Sequence, residues 1–530
     1  MTLMTMAAAA TPPPSSSVQH EQLINLTSLN NHAAILFATD EWFATAENLL
    51  NDAPPTFEPT LFCEQGKVMD GWETRRRRSA GHDWCVIKLC SGLSSNTGID
   101  SVHRSYMLSQ IELDTAYFTG NQTPRISIEA MRVIPPPSIT SNDDDNTTTH
   151  DDDNKNEDYL YNWMPGAATR LARGPGGKGV RGTGQSPTVI ARALDACRSV
   201  ARRRQQQSNY QGDNPSGEWM TVLPMTPLQP GYETSRYHTF EIMDEVKRRI
   251  EMMGGVTHVK FNYFPDGGVA RIKVFGHPCI IPPVEKKKMR KTPATINDCP
   301  AGPTIHPHSL PHPPPSSRTS SYIELSSDLH GGLGLACSNK HYGVPSNLLR
   351  PYPGKDMGDG WETARHPNRP AIVVQDPITH LQDTDLKDWC VIKLGLGGAK
   401  DNEGIHRIIV DTRHFKGNYP ESVAIDGCFA NHDDKLVSDD DVCKSAGLED
   451  DNDNNGSTTI QWFPLVKRTH LTADAEHEYL RERGDIVNGQ RGVTHVRISI
   501  TPDGGLSRVR IYGSPARDSM SVEGGMRSHL

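Results

Sequence analysis

Apolar and polar positions alternate with period two over many short stretches of this chain, and helical periodicity is scarce. Ile111-Glu112-Leu113-Asp114-Thr115 and Ile126-Ser127-Ile128-Glu129 each present one apolar and one polar face, as half-buried β-strands do. Asp83 to Leu89 is more continuously apolar, with Trp84, Val86 and Ile87 favouring a strand. Ala34 to Ala38 is a further short buried run, and Asp40 is placed to cap a helix reaching Leu50. Turns rich in Gly, Pro and Asp punctuate these segments. Pro265-Asp266-Gly267-Gly268 lies between two alternating runs, where the loop of a β-hairpin would be.

The whole series is written twice. Asp70-Gly71-Trp72-Glu73-Thr74 recurs as Asp359-Gly360-Trp361-Glu362-Thr363, and Asp83 to Leu89 recurs as Asp388 to Leu394. The Phe-x-Gly-Asn turn from Phe118 to Asn121 returns at Phe415 to Asn418, and Gly255 to Val259 returns at Gly492 to Val496. Pro502-Asp503-Gly504-Gly505 repeats the hairpin loop. The separation between matched residues falls sharply from Thr115/Thr412 to Trp219/Trp462, so the first copy carries extra residues between about 131 and 217. That insert, with its Asp runs and Arg202 to Gln207, is too polar to offset its ordering entropy and is expected to be disordered. The chain then divides into a disordered leader (1–22), a first repeat (23–284), a Pro- and His-rich linker (285–320), a second repeat (321–516) and a tail (517–530). The second repeat has its own acidic loop at about 433–456. The expected fold class is all-β: two tandem β-sandwiches with disordered inserts, their repeated loops gathered at strand ends.

Composition agrees with compact domains diluted by low-complexity segments. Apolar residues make up 35% of 530, against 45 Gly and 39 Pro. A net charge of −9 with no dominant basic face argues against a nucleic-acid partner. No apolar run is long enough to span a bilayer, so no membrane partner is expected, and the first 17 residues lack the basic start of a signal peptide. Ten cysteines without a Cys-x-x-Cys pair, two of them (Cys85 and Cys390) inside apolar runs, suggest buried thiols in a reducing compartment. Ser528-His529-Leu530 resembles a peroxisomal address with His in place of Lys, so the expected location is cytoplasmic or peroxisomal.

Five stretches carry a family resemblance: Asp70 to Arg77, Gly81 to Leu89, Asp114 to Asn121, Thr257 to Val259 and Pro265 to Gly276. Together they resemble the allantoicase (allantoate amidinohydrolase) family, over roughly Leu23 to Gly276 and Leu325 to Gly513. The resemblance implies two repeats of jelly-roll, galactose-binding-like fold. It also implies a hydrolase of purine (allantoin) breakdown that cuts a C–N bond of a linear amidine, converting allantoate and water to ureidoglycolate and urea. Allantoate is then the small-molecule partner, and a homo-oligomer is compatible with the sequence. The rival reading is a non-catalytic tandem protein that binds carbohydrate or ureide, since such sandwiches host both roles.

Allantoate carries a carboxylate and two ureido groups on one carbon. Hydrolysis needs a cation for the carboxylate, a proton donor for departing urea and a base for water. Arginine suits the first task because its planar fork binds carboxylate bidentately. Arg75 and Arg365, aligned through a gap, and Arg271 and Arg508, aligned without one, are the candidates, while Arg77 and Arg78 read as a solvated basic run. Glu73 and Glu362 are acid–base candidates if burial raises a carboxyl pKa, and loop anchors otherwise. His258, His495, His238 and His477 recur in both copies, as catalytic groups or as hydrogen-bonded structural residues. Lys88 and Lys393, with Asp83 and Asp388, are candidate substrate contacts, against a plain reading as surface-facing lysines with acids that pair with them or with strand-start backbone. Trp72 and Trp361 read as packing residues. No metal-ligand motif is present, so no metal ligand is assigned and no cofactor is expected, although a divalent ion gathered from distant histidines is compatible with the sequence.

Overall fold

Each copy of the repeated pattern closes into two facing antiparallel sheets. The computed structural model describes residues 23–90, 105–133, 163–165, 167, 179–207, 219–279, 322–430 and 460–516. The leader, the linker, the acidic loop and the C-terminal tripeptide lie outside them. In the first repeat the five-stranded sheet runs Met220–Pro227, Arg125–Met131, His258–Phe264, Asp83–Lys88, Ala34–Ala38. Its four-stranded partner runs Ile24–Asn25, Arg271–Pro278, Tyr106–Asp114, Tyr237–Glu241. The second repeat copies this order with Phe463–His470, Ser422–Cys428, His495–Thr501, Asp388–Lys393, Leu333–Cys337 and with Ile323–Glu324, Arg508–Gly513, Ile405–Asp411, Glu476–Leu480. The all-β tandem jelly-roll sandwich expected from the sequence is the observed fold.

Period-two alternation fills the two cores. Ile111 and Leu113 point between the sheets with Ile87, Ile128, Phe261 and Val274, and Ile408, Val410, Ile425 and Ile498 do so in the second repeat. Trp72 and Trp361 are fully buried in these cores, each worth on the order of 3 kcal/mol of apolar burial. Trp72 stacks on Tyr263 at 4.1 Å, and its indole N–H donates to the Asp40 carbonyl at 2.8 Å. Trp361 donates likewise to Asn339 at 2.9 Å. Each tryptophan thereby anchors the glutamate that follows it, on a two-residue strand paired with the Gly-Gly turn: Trp72–Glu73 with Gly268–Val269, and Trp361–Glu362 with Gly505–Leu506.

Three local expectations are corrected. Asp40 does not cap a helix: Asp40–Glu41 is a short strand, and the following turn is a 3-10 helix at Ala46–Leu50. Glu41 Oε1 accepts the Ala46 N–H there, because Asp40 is taken by the backbone and side chain of Arg75. The first repeat's insert contains a helix, α1 (Pro187–Gln207), and a strand, Thr183–Gly184, paired with Asp40–Glu41. Ala193 and Cys197 of α1 are buried against Leu36, Phe37, Trp84 and Val86 on the outer face of the five-stranded sheet. An apolar stripe at three- and four-residue spacing suffices for this, and the Arg- and Gln-rich surroundings mask it in an average over the insert. Finally, Lys88 is buried rather than surface-facing, while Lys393 is half-buried.

The repeats join through backbone as well as side chains. Gly81 and Val373 exchange hydrogen bonds of 2.9 and 3.0 Å, and the Arg76 N–H donates to Gly417 O at 2.9 Å. None of the described cysteines forms a disulfide. No helix among the described residues is long and apolar enough to cross a membrane.

Candidate active site

At this junction the duplicated loops meet and exchange arginines. Glu73 Oε1 accepts from Asn121 Nδ2 at 2.8 Å and from Arg365 Nη1 of the second repeat at 3.4 Å. Glu362 Oε1 accepts from Asn418 Nδ2 at 2.8 Å and from Arg76 Nη2 of the first repeat at 2.7 Å. The asparagines come from the two Phe-x-Gly-Asn turns. The hairpin-loop aspartates complete each set: Arg365 Nε donates to Asp266 at 2.8 Å, and Arg76 Nη1 donates to Asp503 at 2.9 Å. Arg78 and Arg369 lie behind, paired with Asp503 and Asp266 respectively. Four buried carboxylates thus face four buried guanidinium groups.

Both glutamate–asparagine pairs line one cavity of about 260 Å³, together with Arg76, Arg365, His341 and Tyr342. Gly120 keeps its turn close to the other repeat, since a Cβ there would come within 2.8 Å of the His341 ring. Burial pushes the Glu73 carboxyl above its ordinary value, against the opposing pull of Arg365 and Asn121. Burial alone would raise Asp266 and Asp503 too. Instead Arg369 and Arg365 hold Asp266 below the usual carboxylate range, and Arg76, Arg78 and Arg369 hold Asp503 far below it. Burial lowers the His341 imidazole, with Arg76 and Arg365 adding to the effect and Glu362 opposing it. Asn418 Oδ1 is buried without a hydrogen-bond partner, an arrangement that costs roughly 1–3 kcal/mol unless a ligand N–H fills it. The cavity therefore offers two carboxylates, one of them with a raised pKa, beside carboxamides suited to ureido groups.

The other sequence candidates lie elsewhere. Arg75 pairs with Asp40 at 2.6 Å and stacks over Trp42, so the gapped alignment with Arg365 is replaced by an ungapped one in which Arg76 is the counterpart. Arg77 and Arg78 are not a solvated run: they are half-buried and paired with Asp83 and Asp503. Arg271 and Arg508 hold Asp70 and Asp359, each at 2.8 Å, and so brace the loop before each glutamate. Asp83 accepts from Thr39 Oγ1 and Arg77, and Asp388 from Ser338 Oγ, rather than from Lys88 or Lys393. The two lysines sit in register with His258 and His495 in the five-stranded sheets. His258 and His495 bond the hydroxyls of Thr257 and Thr494, at 2.7 and 2.9 Å. The Nε2 atoms of His238 and His477 accept backbone N–H groups of Gln229 and Thr472. None of these four histidines lines the cavity. Among the described residues no group of three or more His, Cys, Asp and Glu side chains is arranged to hold a metal ion.

Sequence reasoning passed over Arg76, Asn121, Asn418, Asp266 and Asp503, although all recur in both copies. His341 carried no such signal, because Trp42 occupies its place in the first repeat.

Fold and site together define a duplicated β-sandwich with a carboxylate-lined cavity assembled from both halves. The family model for the allantoicase repeat matches residues 24–164, 184–279 and 323–516, and the chain belongs to the allantoicase family. A probable allantoicase from Rhizobium meliloti is 29% identical over 497 residues, covering 93% of this chain and 94% of the relative. One from Pseudomonas savastanoi pv. phaseolicola is 27% identical over 497 residues, covering 94% and 98%. The solved structure of an allantoicase from Saccharomyces cerevisiae is 23% identical, covers 94% of each chain and superposes with a TM-score of 0.26.

Proposed function

We infer that this chain hydrolyses allantoate to ureidoglycolate and urea, with the chemistry carried out in the cavity between the repeats. The observation that carries the reading is the pairing of Glu73 and Glu362 across one cavity in a chain of this family. Each arm of the substrate is a ureido group, and each half-site presents a carboxamide and a carboxylate to receive it. Glu73, whose carboxyl burial pushes above its ordinary value against the pull of Arg365 and Asn121, is the group assigned to deliver a proton to the departing ureido nitrogen. Glu362, in the tighter ion pair, is the group that takes a proton from water. The C–N bond to the leaving arm breaks, the C–O bond from water forms, and urea departs neutral. Arg365 and Arg76 hold the two carboxylates in place rather than touching the substrate carboxylate.

A purely binding role fits less well: Phe57, Tyr117 and Tyr342 give the cavity wall exposed aromatic surface, but Glu73 and Glu362 with their asparagines line the same cavity, and a binding platform alone does not need a pair of carboxylates there. The test is direct: the purified chain is incubated with allantoate and urea is assayed. Urea release above a buffer blank supports the enzyme, and its absence overturns it.

A further inference from the structure

We propose that Lys67 is the residue that binds the substrate carboxylate, an assignment that rests on the allantoate reading above. A carboxylate-bearing substrate needs a cation with free donors, and the two arginines of the cavity have few left. Arg365 gives Nε to Asp266, Nη1 to Glu73 and the Asn121 carbonyl, and Nη2 to the Thr74 carbonyl. Arg76 gives Nη1 to Asp503, and Nη2 to Glu362 and the Thr363 carbonyl, leaving only its buried Nε–H without a partner, a single donor that cannot grip a carboxylate bidentately. Turning either fork toward a ligand would strip a buried carboxylate of its partner, which is costly. His341, with its imidazole pushed down by burial, does not supply a charge near neutral pH.

Lys67 lines the same cavity from the short strand Gly66–Lys67. No carboxylate forms an ion pair with it among the described residues; the exposed Glu58, whose carboxyl is lowered chiefly by the hydrogen bonds from Thr60, feels the lysine charge only from a distance. The Lys67 ammonium donates to the Pro59 carbonyl and lies over the rings of Phe57 and Phe62, 4.8 and 4.4 Å from their centroids. One donor is used, so two are available to an incoming carboxylate. The aromatic rings place the charge without neutralising it. Among the described residues the second repeat contributes no lysine to the cavity wall. A substrate with two identical ureido arms meets two equivalent Glu–Asn pairs, and Lys67 is the off-axis charge that orients it. The cation thereby selects which arm faces Glu73.

The test compares allantoate with its uncharged primary amide, in the full-length chain and two variants. Lys67→Met should raise the KM for allantoate by about ten- to a hundredfold, the loss of a charge-assisted hydrogen bond, while kcat is largely held. Inhibition by the amide should be unchanged, so the preference for acid over amide collapses. Lys67→Arg should retain that preference. An unchanged KM for allantoate in Lys67→Met, or an equal weakening of acid and amide, overturns the assignment while leaving the allantoate reading intact. A wild-type chain that releases no urea from allantoate overturns both.

Discussion

Arg76 donates to Glu362 of the other repeat at 2.7 Å, although Glu73 of its own motif lies only three positions before it. Arg365 returns the exchange by reaching Glu73. The duplicated loops therefore complete one another, and neither repeat assembles a half-site from its own arginine.

A single shared cavity has a kinetic signature. Two independent sites would leave each of Glu73→Gln and Glu362→Gln with about half of the wild-type rate. Here each variant alone should lower kcat for urea release by about 10²- to 10⁴-fold, the usual contribution of a positioned acid or base. Steady-state assays of both variants distinguish the cases, and near-half activity in both would count against the shared site.

Removing one exchanged arginine strands buried charge. The side chains of Arg76 and Glu362 are only 4% and 9% exposed, and Asp503 is fully buried. Arg76→Met should destabilise the chain by about 3–5 kcal/mol, read from denaturant midpoints. Adding Glu362→Gln to it should recover part of the loss, because the second change removes one of the stranded carboxylates.

Asp83 makes stability depend on pH. Burial raises its carboxyl to about 6 from an ordinary 3.8, with Asp40 and Asp266 adding to the shift and Arg77 opposing it. A raised native pKa means the folded chain binds this proton more tightly than the unfolded chain. Its contribution is complete below about pH 4 and is lost as pH rises through about 6. Asp40 is raised as well, chiefly by burial, and acts in the same direction. Asp83→Asn should flatten this part of the curve when unfolding is measured between pH 4 and 7.

Helix α1 should behave as part of the first sandwich. Ala193 is fully buried against the outer face of the five-stranded sheet. Ala193→Asp would place an unpaired carboxylate there, and hydrogen exchange across residues 187–207 should rise well above that of the wild type. Unchanged protection would mean that the helix is not held by this contact.

The legible part of the site was the part that repetition marks without ambiguity. Glu73 and Glu362 follow identical residues, so both were found. Asn121 and Asn418 were equally visible in Phe-x-Gly-Asn but resembled ordinary turn residues. Arg76 was hidden by the assumed gap: without it, Arg365 aligns with Arg76 and Ala364 with Arg75. Repetition also misled. His258 and His495 recur with a threonine partner just before each of them, which a duplicated structural contact explains as well as a duplicated catalytic one.

Sequence by itself determined the strands, the turns, the duplication and the family, because alternation and turn chemistry act between neighbours along the chain. Even α1 was present there as a local stripe. Only the tertiary structure decided which arginine meets which glutamate, and that one cavity serves two repeats. Arg76 and Glu362 stand 286 positions apart. No local period encodes such a pairing; it arises when two sandwiches pack loop against loop and bury four acids that need four cations.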